Sequence, residues 1–189
     1  MELIVKNKFG SLTGASKVLN SQKEEVYKVK GSFGSNAFTK KYKKTIMTLD
    51  KKVLFTVCNK RIHGPFQRAA IIYDANNNEV ARVVQDGMFK CGYQVEGVGK
   101  KMEIVGHFLT SDGANVMSDG KKIGNIISTN YKQKGNAIMI AGLTDSFKLT
   151  YENEQDGPFL VAVVIAIDNI TDADRRRAAN NHTTSSFIH

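Results

Sequence analysis

A chain of 189 residues, 41% hydrophobic and 24% charged, has room for one domain with a real core and is ordinary in make-up for a soluble globular protein. Its 27 basic against 18 acidic side chains leave a formal charge of +9, which favours anionic partners (lipid headgroups, nucleic acid, acidic proteins) or serves solubility alone. Two cysteines, Cys58 and Cys91, make no disulfide framework, and the opening MELIVKNKFGS is too short and too quickly charged for a secretory signal, so a reducing, cytoplasmic setting is expected.

In chain order the elements read as strands. ELIVKNK opens the chain, and a strand–turn–strand unit then recurs at 17–29, 45–57 and 70–83, with polar turns between the halves. The returning strands start at Val26, Val53 and Val80, each 27 residues after the last, which suggests related hairpins laid side by side. The period then fails. CGYQVEGVGKKMEIVGHF, 91–108, reads as another hairpin, and Asp119-Gly120 within 115–127 is the tightest hairpin signal in the chain. A last pair, NAIMIAGL and SFKLTYEN, leads up to the apolar run; about eleven or twelve strands are expected, with no amphipathic helix before residue 157. So many antiparallel strands in one domain point to a barrel or a sandwich, which hide their edges. Lys28, Lys30, Lys41 and Lys43 fall at alternate positions and are expected to point outward.

The stretch DGPFLVAVVIAIDNI, 156–170, holds nine consecutive apolar residues, Phe159 to Ile167. A membrane span needs about 20 such residues, and nine helical residues reach only about 14 Å. The β-branched Val161, Val163, Val164, Ile165 and Ile167 suit a buried strand, whereas Asp156-Gly157-Pro158 suits the start of a helix. The residues leave both open, with a slight preference for the helix. A helix apolar all the way round must be surrounded by protein, and burying these side chains is worth of order 10–20 kcal/mol gross.

This run, the hairpins before it, the strand VYKVKGSF and the segment KNKFGSLTGASKVLNSQKEEVYKVKGSF (6–33) resemble the LURP-one-related proteins, which belong with tubby C-terminal domains and phospholipid scramblases. The resemblance covers roughly residues 1–170 and is most specific from Pro158 to Ile170. It implies a mainly β, single-domain closed antiparallel barrel of about twelve strands over 1–170, around a hydrophobic helix at 158–168. The side chains of Phe159, Leu160, Val163, Val164, Ile165 and Ile167 are then core, and 171–189 is a polar, flexible tail. Tubby domains bind phosphoinositides and scramblases are calcium-responsive membrane proteins. The chain lacks the cysteine cluster, proline-rich leader and long terminal span of scramblases, and DNITDAD lacks the glycine and distal glutamate of an EF-hand loop.

Little else suggests chemistry. Cys58, His63, Cys91 and His107 match no close-paired zinc spacing, and no activated thiolate, nucleophile elbow, paired carboxylates or phosphate loop stands out, so no enzyme, metal or cofactor is expected. The functional signal is basic: Lys40, Lys41, Lys43 and Lys44 around Tyr42, with Lys100, Lys101, Lys121 and Lys122 at turns. Gathered together, they would form a footprint for anionic phospholipid at a membrane surface; dispersed, they would be solvated or edge-protecting lysines. One aromatic in the TKKYKK cluster offers no stacking platform for nucleic acid. A soluble protein-interaction or scaffold module is the other reading.

Overall fold

Three hairpin turns built alike explain the 27-residue period. In each, a polar residue at the end of a strand accepts a hydrogen bond on its side chain from the N–H four residues on. Asn20 Oδ1 accepts from Glu24 at 2.9 Å, Thr48 Oγ1 from Lys52 at 3.1 Å and Asp74 Oδ1 from Asn78 at 2.8 Å. The residue before that donor is left-handed in every case, with φ of 66° at Lys23, 69° at Lys51 and 66° at Asn77. Such turns reverse the chain with the twist that antiparallel strands need. Asp119-Gly120, with φ of 49° and 79°, makes the two-residue hairpin its sequence announces.

The computed structural model describes residues 1–7, 16–31, 43–63, 67–85, 92–107, 112–129 and 146–185. Among them are twelve strands. The first six are β1 (Glu2–Asn7), β2 (Ser16–Asn20), β3 (Glu25–Gly31), β4 (Lys43–Met47), β5 (Val53–His63) and β6 (Gln67–Tyr73). The rest are β7 (Glu79–Gln85), β8 (Gly92–Glu96), β9 (Met102–Gly106), β10 (Ala114–Ser118), β11 (Lys121–Ser128) and β12 (Ser146–Tyr151). Each pairs antiparallel with its neighbour in sequence, and β1 pairs with β12, Val5 opposite Phe147, closing the barrel. Closure corrects one sequence expectation. The last strand pairs with β11 and β1, so both its edges are taken, and NAIMIAGL (136–143) lies outside the described residues.

Because the strands run up and down in order, successive connections alternate between the two ends of the barrel. The tight turns after β2, β4, β6, β8 and β10 share one end with the approach to the helix, here called the turn end. The far end takes the other connections.

All twelve strands send residues to a single core, Val5, Val18, Val29, Ile46, Val57 and Ile72 among them. The helix fills it. A 3-10 turn, Glu154–Asp156, capped by the Asn153 side chain, leads into α1, Gly157–Ser185. Tyr151 packs over Gly157, where a β-carbon would come within 2.8 Å of the tyrosine oxygen, so the helix starts on a residue without one. Phe159 meets Phe55 edge to face at 5.9 Å. From Leu160 to Ile170 every residue is buried, so the helix has no exposed face along the barrel. Phe159 is half-buried, and Leu160, Val163, Val164, Ile165 and Ile167 are buried in the core.

The helix is longer than the 158–168 expected: its backbone continues through the segment read as a tail, to Ser185. No proline or glycine follows Gly157-Pro158, so nothing in the chain breaks it. At 29 residues it spans about 44 Å.

Candidate functional site

Of the eight lysines read as a candidate footprint if gathered together, the six described ones lie at two ends of the barrel. Lys40 and Lys41 lie outside the described residues. Lys43 and Lys44 begin β4 at the far end, whereas Lys100, Lys101, Lys121 and Lys122 lie at the turn end.

The turn-end group is brought together but largely matched by carboxylates. The turns before β9 and β11 bond to each other, the Lys101 N–H donating to Asp119 Oδ1 at 2.9 Å and the Asp119 N–H to the Lys101 carbonyl at 2.7 Å. Lys101 then pairs with Glu103 at 2.8 Å, and Lys121 with Glu152 at 3.1 Å. Glu103 raises the pKa of Lys101, first by its hydrogen bond and then by its charge. The five turns with the residue on either side of each, and the helix approach, carry ten carboxylates against six lysines.

Five lysines of the first four strands form a row. Val5, Val18, Val29 and Ile46 face the core, so by alternation Lys6, Lys17, Lys28, Lys30 and Lys43 lie on the outer wall of β1–β4. Lys6 stands directly opposite Lys17, and Lys17 opposite Lys28. Lys30 is two residues along β3 and faces Thr45, two residues from Lys43. Directly opposed residues on one face have β-carbons about 4.5–5.5 Å apart, and like charges so placed destabilise a sheet. Lys17 is relieved by Glu25 at 2.7 Å. Lys6, Lys28, Lys30 and Lys43 pair with no carboxylate among the described residues. Edge protection does not account for them, since a closed barrel has no open edge and β1 is paired on both sides.

Lys44 has the opposite fate. It shares the parity of Ile46, points inward, and pairs with Asp168 of α1 at 2.9 Å, with side chains only 3% and 6% exposed. It is a structural lysine and stands apart from the outer wall. Around it lies a polar layer where the helix nears the far end. Asn59 of β5 donates to the Asn169 carbonyl at 3.3 Å, and Tyr93 of β8 meets the Thr171 hydroxyl at 3.2 Å. Asp168, read from the sequence only as an acid after the helix, is thus a core residue of it.

The remaining candidates stay apart. Cys58 and His63 are five residues apart on β5, about 17 Å, too far to share a metal. His107 follows β9, Cys91 lies outside the described residues, and no three metal-binding side chains cluster among the described residues. Burial raises the Cys58 thiol pKa, only partly offset by Lys43, which keeps it from being a ready thiolate. Among the described residues no helix is long and apolar enough to cross a membrane.

A twelve-stranded barrel closed on a buried C-terminal helix is what the resemblance implied, and the family model described as LURP-one-related matches residues 1–168. The chain belongs to the LURP-one-related family. The match ends at Asp168, the helix residue that closes the buried ion pair, so it takes in the whole barrel and the apolar part of the helix. No curated protein and no solved structure matches the chain significantly. Sequence reasoning missed Lys6 and Lys17 as partners of Lys28 and Lys30, although the 11-residue spacing of Lys6, Lys17 and Lys28 was there to be read.

Proposed function

We propose that this LURP-one-related protein is a non-enzymatic module that docks on anionic phospholipid headgroups through the outer wall of β1–β4, as a peripheral protein at a membrane surface. The observation that carries this reading is the lysine row: Lys6, Lys17, Lys28, Lys30 and Lys43, four of them without a carboxylate partner among the described residues. A barrel gains no stability from setting lysines opposite one another, and an anionic surface would relieve that repulsion. Each basic residue near such a surface contributes about 1 kcal/mol. The membrane association of the scramblases this family is grouped with supports the same direction.

Co-sedimentation with phosphatidylcholine vesicles containing phosphatidylserine tests it. At about 0.01 M salt, where charges act over roughly 30 Å, binding is expected, and it weakens at 0.15 M, where the range is about 8 Å. Reversing Lys28, Lys30 and Lys43 to Glu removes at least about 3 kcal/mol, roughly a hundredfold in affinity. Reversing Lys100, Lys101, Lys121 and Lys122 leaves binding within a few-fold. Absence of wild-type binding at low salt sinks the lipid reading and leaves a protein-docking scaffold, to be sought by pull-down.

A further inference from the structure

The polar layer where the helix nears the far end contains hydrogen-bonding groups that the protein leaves unused. Asn169 is 1% exposed, and neither its side-chain oxygen nor its side-chain nitrogen has a partner. Asn59 spends its amide nitrogen on the Asn169 carbonyl at 3.3 Å, while its buried Oδ1 has no partner either. The Asn59 side chain thus lies against the Asn169 backbone, and the two residues together leave two acceptor oxygens and one two-proton donor unfilled. Reassigning the amides does not help. Turning Asn169 over exchanges two atoms that are both unpaired, and turning Asn59 over sets its oxygen against the Asn169 carbonyl.

Buried amides are rarely left in this state, because folding strips them of water without repayment. The surroundings narrow what completes them. Lys44 and Asp168, one residue before Asn169, are already engaged with each other at 2.9 Å, so no net charge is offered to an ion. An uncharged guest that both donates and accepts suits the two amides.

We infer that Asn59 and Asn169 form an interior site for a small uncharged hydrogen-bonding guest, either an ordered water or a small organic molecule of the same donor–acceptor character. Water bound this way typically makes about three hydrogen bonds to buried polar groups, the number of atoms left open between the two amides. The guest joins helix to wall at the level where the core turns from apolar to polar.

Two measurements on the full chain separate the sources. For water, cross-relaxation between the side-chain NH2 protons of Asn169 and a long-lived water is expected in the isotopically labelled protein, and it disappears in Asn169→Leu while the rest of the spectrum persists. For an organic guest, native mass spectrometry shows an adduct that denaturation releases, and the water cross-peak is absent. Neither signal in the wild type overturns the site. So does a rise in the melting temperature of Asn169→Leu, because replacing an unfilled amide by an apolar side chain of similar size should stabilise the fold, whereas losing a bound guest should not.

Discussion

The two ends of the barrel solve the same problem differently. At the turn end the chain reverses through short turns satisfied by their own side chains, and the helix starts among aromatics: Tyr151 over Gly157, and Phe55 against Phe159. Burial, followed by the charge of Glu154, raises the pKa of Tyr27 there, and Tyr151 is raised by burial first, then by Tyr27 and Glu154. Toward the far end the helix is held by polar side chains from three strands: Lys44 on β4, Asn59 on β5 and Tyr93 on β8. The surface follows the same division, with carboxylates outnumbering lysines at the turn end and the lysine row lying toward the other. The turns are held by local contacts, whereas the helix is held at both ends by contacts distant in sequence.

The sharpest way to break that comparison is at the buried ion pair. Asp168→Leu leaves the Lys44 ammonium without its carboxylate inside the barrel and should cost about 3–5 kcal/mol, read as a lowered denaturation midpoint. The double variant Lys44→Met, Asp168→Leu should recover most of that loss, because two apolar side chains replace the pair without stranding a charge. If the double variant is as unstable as the single one, the pair is not what anchors the far end. At the turn end, Gly157→Ala forces the Tyr151 ring aside and should cost about 1–3 kcal/mol by overpacking. Relief of that cost by Tyr151→Leu in the same chain would trace it to this contact.

The asymmetry also explains what is legible in the sequence. Each hairpin at the turn end carries its own instruction, a polar residue followed by a left-handed position, so the strands and their 27-residue period can be read from the residues alone. The apolar helix is visible by composition, though its burial inside a barrel needs the family resemblance. The far-end features depend on register and closure. Lys6, Lys17 and Lys28 become neighbours only once β1, β2 and β3 are aligned. Lys44 looks like one more surface lysine because Asp168 lies 124 residues away. Pairing of β12 with β1 is equally remote, which is why local sequence suggests the wrong partner for the last strand. The helix continuing beyond residue 168 is hidden by polarity, since the segment loses apolar alternation without gaining a helix breaker.

A smaller effect tests whether the turns are locally determined. Lys51 holds φ of 69°, a region that costs an L-residue roughly 1–2 kcal/mol, while glycine enters it freely but loses more freedom on folding. Lys51→Gly should therefore raise stability by roughly 0.5–1 kcal/mol. Lys51→Val should lower it, because β-branching disfavours the same angle. Equal stability in all three chains would mean that neighbouring strands impose the turn.

The smallest expected effect is the pH response of the third repeated turn. Asp74 is partly exposed, and its pKa is lowered, first by the side-chain hydrogen bond from Asn78, then by the Asn78 and Asn76 N–H groups. The folded chain thus holds the proton less tightly than the unfolded one. The stabilisation is fully present above the ordinary carboxylate value of about 3.9 and is lost as pH falls through the lower folded value. Asp74→Asn lacks that titration, so its deficit against wild type should be constant above about pH 5 and close as the pH approaches 2. Urea denaturation of both chains across that range measures it. Asn20 and Thr48 do the same job in the sister turns without ionising, so the pH dependence should be specific to the third turn. A deficit that stays constant down to pH 2 would show that Asp74 holds its turn by shape alone, as Asn20 and Thr48 do.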